Sequence, residues 1–314
     1  MPAISASAPG KIILLGEHAV VYGQPAIAVP VTQVKAKAIV TADPRVPGGT
    51  IRLVAPAINL DASLDKLPND HPIAAAVCQT IEALNIARPP ACTIRITSTI
   101  PVASGMGSGA AVTVAVIRGL STFIGRPLSQ EATNSIAFEV EKIYHGTPSG
   151  IDNTVVTYSL PVYFQRGHPI EMLQLPVPFT LIIADTGIAS STKDTVGDVR
   201  KTWLAEPERC EHLFSSIGEI VESARGLIEG GKPYRIGSLM IEDHRLLQAL
   251  GVSCNELDRL VEAALEAGAL GAKLSGGGRG GNIIALAPSE SLPRLEDALR
   301  QSGATNTIIT TIGK

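Results

Sequence analysis

A glycine-rich stretch in the first half of the chain has the residue types needed to bind a phosphate group. Its glycines alternate at Gly105, Gly107 and Gly109, with Ser108 between the last two, and a pattern typical of a helix follows. Glycine admits positive φ and lets a ligand come close to the backbone. The first turn of a helix offers N–H groups to an anion, and no Asp or Glu occurs between residues 83 and 130. We therefore predict a phosphate-binding loop that leads into a helix.

The predicted phosphate contacts are the loop and the first residues of the helix: Pro101, Ala103, Ser104, Gly105, Met106, Gly107, Ser108, Gly109 and Ala110. The loop is not a Walker A motif, because no Gly-Lys-Ser/Thr follows it. It fits the loose dinucleotide fingerprint, but that motif needs an acid about 20 residues further on, and Glu131 lies too far away. The pattern also fits a turn that only packs a helix closely on a strand, so both interpretations stay open at this point.

A lysine and a glutamate bracket an apolar segment close to the N-terminus. In an extended strand Lys11, Ile13, Leu15 and Glu17 share one face. Two charged residues around two apolar ones are unusual for a plain core strand. Either both charged residues lie at the ends of the strand in solvent, or they border a functional site.

Two carboxylates lie on either side of a segment rich in glycine and proline. Glu141 falls in the last turns of a helix predicted over 129–144, where a carboxylate opposes the helix dipole at a cost of about 0.3–1 kcal/mol. A bound cation would explain that position, although a salt bridge or simple exposure would also do so. Asp152 precedes residues 154–158, a run typical of a strand. We expect Asp152 either to project from the start of that strand or to be a turn residue.

Strands and helices alternate along the chain, which predicts a fold that contains both. The pair Pro9-Gly10 is predicted to interrupt the N-terminal strand. A polar, proline-rich segment over 165–178 is the best candidate for a domain boundary, which gives predicted domains at 1–165 and 166–314. In the second domain the alternation favours a sheet with helices on one face.

The composition points to a globular protein that handles small molecules. Apolar residues make up 45% of the 314 residues and charged residues 18%, which is enough for a large core. A net charge of −3 and the lack of a Lys/Arg cluster argue against a nucleic-acid or anionic membrane surface. The four cysteines and six histidines are dispersed, which fits reduced thiols and no zinc motif. No signal sequence or membrane-spanning run is recognised, so we expect a cytoplasmic protein.

Three segments, taken in order, resemble the motifs of the GHMP kinases: APGKIILLGEHAVVYGQPAIA, PVASGMGSGAA and AKLSGGGRGG. Within that superfamily GEHAVVYG, EKIYHGTPSGIDN and ADTGIASSTKD resemble the mevalonate kinases. The similarity runs from about Ala8 to Leu286, so it covers nearly the whole chain. Ordered motifs over that length are far more specific than a single glycine-rich loop.

The resemblance implies an α+β fold with an N-terminal domain like ribosomal protein S5 domain 2 and a ferredoxin-like C-terminal domain. It also implies transfer of a phosphoryl group from ATP, with Mg²⁺, to the 5-hydroxyl of mevalonate in isoprenoid precursor synthesis. By position, Asp152 matches the family's catalytic aspartate, Lys11 its active-site lysine and Glu141 its magnesium ligand. The residues expected on the substrate side are Glu17, His18, Thr186, Gly187, Ser275 and Gly276.

The chain departs from the family in the second motif. The family often reads Gly-Leu-Gly-Ser-Ser-Ala there, and the second serine gives its hydroxyl to the metal. Gly109 occupies that position, so the candidates for the missing ligand are the hydroxyl of Ser108 or a water molecule.

Two other functions are compatible with the sequence. The first is a kinase for a related small alcohol such as phosphomevalonate, although a phosphorylated substrate calls for a Lys/Arg pair and the segment after Thr186 supplies only Lys193. The second is a catalytically silent nucleotide-binding protein on the same fold, for which Gly109 is the only support. We expect small-molecule partners and neither nucleic acid nor membrane, and the sequence leaves open whether the chain forms a homodimer.

Overall fold

The structure is a computed structural model that describes residues 3–68, 70–101, 105–145 and 148–313, without the side chains of residues 144, 145 and 193. The chain divides into two compact units. Unit 1 comprises Met1–Gly10, Val34–Pro101 and Gly107–Ser159, and unit 2 comprises Lys11–Gln33, Val102–Met106 and Leu160–Lys314. Unit 2 therefore includes two segments from early in the chain. The predicted boundary at residue 165 divides the chain once, whereas each unit is made of several segments. The boundary stays a prediction.

Unit 1 contains a mixed sheet. Its strands are the first part of β1 (Ala3–Leu15), the second part of β2 (Ala26–Ala42), β3 (Ile51–Ala55), β4 (Leu60–Ser63) and β5 (Cys92–Ser98). β5 runs antiparallel to β2 and parallel to β3, and β3 pairs antiparallel with β4. Apolar residues that alternate with exposed ones in β5 give the sheet one face to bury.

Helices supply the other layer of unit 1. They are α1 (Pro72–Ala83), α2 (Ser108–Phe123), α3 (Gln130–His145) and α4 (Ile151–Tyr158). The central helix is α2, which packs on β5 and on the other three helices. Gly119 lets α2 lie close to β2, because a Cβ at that position would lie 3.2 Å from Cγ2 of Val40. The predicted helix after the glycine-rich loop is confirmed.

Unit 2 is built around an antiparallel sheet. The strands of unit 2 are β6 (Val162–Phe164), β7 (Glu171–Met172), β8 (Phe179–Asp185), β9 (Gly271–Ser275), β10 (Asn282–Leu286) and β11 (Asn306–Ile312). Only the last four form this sheet. Its helices are α5 (Thr192–Ala205), α6 (Pro207–Glu229), α7 (Gly237–Ala249), α8 (Asn255–Glu266) and α9 (Leu292–Gln301). The order β11-β8-β10-β9, with helices between β8 and β9 and between β10 and β11, is a βαββαβ arrangement of the ferredoxin-like type. The short strand β6 pairs with the first part of β2 and with β7.

All four cysteines are free thiols. None of the helices in the described ranges is long and apolar enough to cross a bilayer.

The predicted break at Pro9-Gly10 is wrong, because β1 continues through both residues. Proline holds φ near −65°, a value that extended backbone accepts. Both residues are buried, so the strand carries the chain without a turn towards Lys11.

The predicted strand after Asp152 is also wrong, because that segment is helix α4. β-branched residues favour strands as a local preference, and tertiary packing overrides it here. Gly150 begins the helix in the left-handed region with φ 92°, and Nδ2 of Asn153 donates to Oδ1 of Asn134 on α3 at 2.7 Å. Asp152 therefore lies in the first turn of a helix that is fixed to α3.

Helix α7 approaches β9 closely at two glycines, Gly237 and Gly271. A Cβ on Gly271 would lie 2.2 Å from the carbonyl oxygen of Gly237. Gly271→Ala should therefore lower the free energy of unfolding by about 3 kcal/mol, which is at the upper end of the cost of overpacking a core. A denaturant titration measures this change. The control is Gly226→Ala in α6, where a Cβ meets nothing within 4 Å. A loss below about 1 kcal/mol for Gly271→Ala would contradict the close approach.

Candidate active site

Lys11 lies inside β1 and belongs to unit 2. Its side chain is 4% exposed, and its backbone N–H donates to the carbonyl oxygen of Met106 at 3.0 Å. Glu17, which follows the strand, is 1% exposed. The interpretation that both charged residues lie in solvent at the strand ends is therefore wrong. Lysine is rarely buried unless its charge is paired, and this one lies on a strand bonded to the glycine-rich loop.

The loop after β9 contacts the other two glycine-bearing segments within unit 2. The hydroxyl of Ser275 donates to the carbonyl oxygen of Ile13 in β1 at 2.8 Å. Gly276 adopts φ 96°, and a Cβ on it would lie 4.0 Å from Cα of Gly105. Three segments that are more than 90 residues apart in sequence therefore meet in unit 2: β1, the glycine-rich loop and the loop after β9. Lys11 lies on β1, which bonds to both loops.

His18 is a buried histidine with one nitrogen engaged and one available. Its Nε2 lies 3.0 Å from the carbonyl oxygen of Gly277, and because a carbonyl only accepts, Nε2 carries the proton. Burial lowers the pKa of His18 to about 4, so the ring is neutral at physiological pH. Its Nδ1 is therefore an acceptor, and it is buried without a hydrogen-bond partner among the described residues. Such a nitrogen is suited to a hydroxyl donor.

Thr186 and Gly187 form the turn at the end of β8. The Thr186 hydroxyl donates to the carbonyl oxygen of Gly281 at 2.9 Å, and the N–H of Gly187 donates to Oδ1 of Asp185 at 2.8 Å. A Cβ on Gly187 would lie 2.5 Å from Cγ2 of Thr305. These contacts fix the turn against the third glycine loop, and a substrate role for the two residues stays a prediction.

Unit 1 carries the predicted base and the predicted metal ligands on three helices that pack against one another. Asp152 lies in the first turn of α4, and Ser108 is the first residue of α2. Glu141 lies near the C-terminal end of α3 and is 4% exposed, so simple exposure does not explain it. Its neighbour Glu139 is exposed and paired with Lys142 at 2.7 Å.

The N-terminus of α2 has the features of an anion site. Gly107 begins the helix with φ 68°, and the first turn contains no acidic residue. The N–H groups of the first turn have no acceptor within a helix and carry its positive dipole end. Ala103 and Ser104, which are also predicted phosphate contacts, lie outside the described residues. So do Gly146 and Thr147 of the segment before Asp152.

The oxygen donors predicted for a cation in unit 1 are the carboxylate of Glu141 and the hydroxyl of Ser108. In the described part of the chain, no three His, Cys, Asp or Glu side chains are grouped to enclose a metal by themselves. A small set of hard oxygen ligands fits Mg²⁺, which keeps several waters and binds phosphate oxygens. Such a set does not fit a closed site for a softer metal.

Sequence reasoning missed two buried charged residues of unit 2, Lys273 and Asp243, both of which are 0% exposed. The ammonium of Lys273 donates to Oε1 of Glu17 and lies 3.3 Å from Oδ2 of Asp243. The available signal was a lysine between Ala272 and Leu274, in a short apolar run before the third glycine loop.

Comparison with known proteins agrees with these motifs. The model of the GHMP kinase N-terminal domain matches residues 72–159, and that of the C-terminal domain matches residues 219–305. A mevalonate kinase of Thermococcus sibiricus is 40% identical, with 91% of this chain and 90% of that protein covered.

Solved structures agree as well. L. major mevalonate kinase in complex with R-mevalonate has a TM-score of 0.84 and 30% identity, with 98% of this chain and 95% of that chain covered. The Methanococcus jannaschii mevalonate kinase has a TM-score of 0.84 and 26% identity, with 99% and 98% covered. These matches confirm the predicted two-domain α+β fold class. The chain belongs to the GHMP kinases and, within them, to the mevalonate kinase family.

Proposed function

We propose that this chain transfers the γ-phosphoryl group of ATP to the 5-hydroxyl group of mevalonate and releases ADP and 5-phosphomevalonate. The product is a precursor for isoprenoid synthesis by the mevalonate pathway. The 40% identity to a mevalonate kinase and the 0.84 TM-score to a structure with R-mevalonate support this substrate. The observation that carries the proposal is the buried Lys11, whose backbone is bonded to the glycine-rich loop at Met106. Phosphoryl transfer requires a cation beside a phosphate-binding loop.

An alcohol is a weak nucleophile, so the reaction needs a base for the hydroxyl proton and positive charge near the transferred group. Asp152 is the proposed base, and its carboxylate accepts the proton of the 5-hydroxyl as the oxygen–phosphorus bond forms. Lys11 is the proposed cation. Its ammonium group would offset the negative charge that develops on the phosphoryl oxygens. The N–H groups at the start of α2 bind the phosphates of ATP.

On the substrate side, His18 has the clearest chemistry, because Nδ1 of its neutral ring is a buried acceptor. We propose that this nitrogen accepts a hydrogen bond from a mevalonate hydroxyl group. Contacts of the substrate with Glu17, Thr186, Gly187, Ser275 and Gly276 stay predictions.

Mg²⁺ is the proposed metal partner of ATP, held by Glu141 and by Ser108 or a water molecule. When bound there, the ion would neutralise negative charge on the β- and γ-phosphates. Glu141 is buried near the C-terminal end of α3, where a bound cation would offset the unfavourable interaction between its carboxylate and the helix dipole.

Glu141→Gln should raise the Mg²⁺ concentration needed for half-maximal activity by about tenfold or more. Loss of a group that holds or orients a metal ligand typically has an effect of this size. The cause is the loss of the charged oxygen from the donor set. Turnover measured against Mg²⁺ at saturating ATP tests this. The matched control is Glu139→Gln two residues earlier, on an exposed side chain, which should leave the Mg²⁺ dependence unchanged. Equal Mg²⁺ curves for the two variants would remove Glu141 from the metal site.

Two alternative functions have less support. A kinase for phosphomevalonate would need additional basic residues near the substrate, and the segment after Thr186 supplies only Lys193. A silent nucleotide-binding protein is supported only by Gly109, and such a protein has no need to bury both Lys11 and Glu141.

The test is ADP release with Mg²⁺-ATP and four separate substrates: mevalonate, phosphomevalonate, homoserine and galactose. Turnover with mevalonate alone is the expected result. Turnover with phosphomevalonate instead would favour the first alternative. ATP binding without turnover on any of them would favour the second and make Gly109→Ser the next variant to measure.

We place the reaction in the cytoplasm, supported by the free thiols of all four cysteines. Assembly as a homodimer stays a prediction, and the mass of the protein in solution tests it.

A further inference from the structure

The strongest feature outside the proposed chemistry is a cluster of three charged side chains buried in unit 2. Lys273 in β9, Asp243 in α7 and Glu17 after β1 are each 0% or 1% exposed. The Lys273 ammonium donates to Oε1 of Glu17 and to the carbonyl oxygen of Leu274 at 2.7 Å. It also lies 3.3 Å from Oδ2 of Asp243. We call these three residues the buried triad.

The triad contains one ammonium and two carboxyl groups. If both carboxyl groups were ionised, a net negative charge would be withdrawn from water at a cost of several kcal/mol. Oε2 of Glu17 and both carboxyl oxygens of Asp243 are buried without a hydrogen-bond partner among the described residues. The single ammonium of Lys273 contacts both carboxyl groups, so both depend on one positive charge. Two carboxylates only accept hydrogen bonds, so one proton held by the pair adds a donor and makes the cluster neutral.

We propose that Glu17, Asp243 and Lys273 form a positioning triad that holds one shared proton, is electrically neutral, and fixes the Glu17–His18 turn and helix α7 to strand β9. The substrate consequence rests on the proposed function, because it assumes that this turn contacts mevalonate. The proton and the anchoring follow from the buried geometry alone.

Neighbouring contacts explain why the turn needs such an anchor. His18 adopts φ 60°, a left-handed conformation that costs a non-glycine residue free energy. Its Nε2 donates to Gly277 in the loop after β9, and Ser275 of β9 bonds to Ile13 of β1. Residues 273, 275 and 277, in the motif AKLSGGGRGG, therefore each bond to the N-terminal motif that contains Ile13, Glu17 and His18. Of these three connections, only that of Lys273 carries charge.

Titratable groups near the triad include His18, which follows Glu17, and His244 and Asp258 on α7 and α8. His244 lies beside Asp243 and accepts from the N–H of Leu274 through Nδ1 at 3.3 Å, while its Nε2 lies 3.1 Å from Oδ1 of Asp258 on α8. Burial lowers the pKa of His244. Strand β10, which pairs with β9, contributes no titratable residue. Neither His18 nor His244 therefore supplies the missing positive charge near neutral pH.

The proton has a consequence for stability. Burial raises the pKa of Asp243 to about 7; the Lys273 ammonium opposes this shift and the Glu17 carboxylate adds to it. Between the ordinary pKa of 3.8 and this value, the folded protein holds a proton that the unfolded chain has released. Stability from this group is therefore complete below pH 4 and is lost as pH rises to about 7.

The first test compares wild type with Asp243→Asn, an amide that replaces the protonated acid with a donor of the same shape. The ratio of their unfolding equilibrium constants, wild type over variant, should rise by about tenfold or more between pH 4 and pH 8. Taking this ratio cancels pH effects that the two proteins share. Glu242→Gln is the control, because Glu242 is the exposed neighbour on α7, and its ratio should stay flat. Infrared difference spectra at pH 6 should also show a carboxylic acid band that Asp243→Asn removes. A flat ratio or a missing band would overturn the shared proton.

The second test concerns positioning. Lys273→Met removes the anchor, and we expect the KM for mevalonate to rise by about tenfold while the KM for ATP and kcat change by less than about threefold. If this variant does not fold, Lys273→Met combined with Asp243→Asn leaves one acid that can stay protonated and is measured instead. An unchanged KM for mevalonate in a folded variant would overturn the positioning role. The unfolding and infrared tests need no substrate, so they remain informative if the wild type fails to phosphorylate mevalonate.

Discussion

Asp152→Asn should lower kcat with mevalonate by about 10³-fold, within the range for loss of a general base, and leave ATP binding unchanged. The amide keeps the size of the side chain and cannot accept the proton of the 5-hydroxyl group. Helix α4 should remain in place, because its link to α3 is made by Asn153.

The measurements are steady-state kcat with saturating mevalonate and calorimetric binding of Mg²⁺-ATP. Glu131→Gln is the matched control, since it removes an exposed carboxylate from the first turn of α3 in the same unit. A kcat for Asp152→Asn within threefold of wild type would show that Asp152 is not the base.

Lys11→Met should lower kcat by about 10²–10³-fold, the scale measured when one group that stabilises transition-state charge is removed. Methionine resembles the lysine stem in length and is favoured in an interior, so β1 should keep its bond to the glycine-rich loop. A thermal melt near that of wild type would verify this.

The matched control is Lys37→Met, which removes an exposed lysine from β2. It should retain wild-type kcat. If Lys11→Met instead raises only the KM for ATP and keeps kcat, then Lys11 binds the nucleotide and does not stabilise the transition state.

Local sequence patterns predicted those parts of the fold that local chemistry controls. The alternating glycines before an apolar helical period predicted the loop and α2, and the structure has that helix at Ser108–Phe123. The strand predicted after Asp152 is wrong. The segment is short and rich in β-branched residues, and its packing against α2 and α3 determines its conformation as helix α4.

Sequence patterns pointed to some residues of the candidate site and missed the buried triad, for a physical reason. Lys11, Glu141 and Asp152 follow from motifs that are continuous in sequence. The triad depends on Glu17, Asp243 and Lys273, which are separated by up to 256 residues and meet only when the ferredoxin-like sheet forms. No periodicity links them, so only the lysine within an apolar strand hinted at the ion pair.

Phosphoryl transfer to the 5-hydroxyl of mevalonate is tested most directly by the phosphorus NMR spectrum of the product. The wild-type protein with Mg²⁺-ATP and mevalonate should give a phosphomonoester signal coupled to the two methylene protons at C5, with one ADP per product. A phosphomonoester without that coupling would place the group on the tertiary 3-hydroxyl. ADP without any phosphomonoester, or no reaction while ATP is bound, would contradict the proposed kinase activity itself.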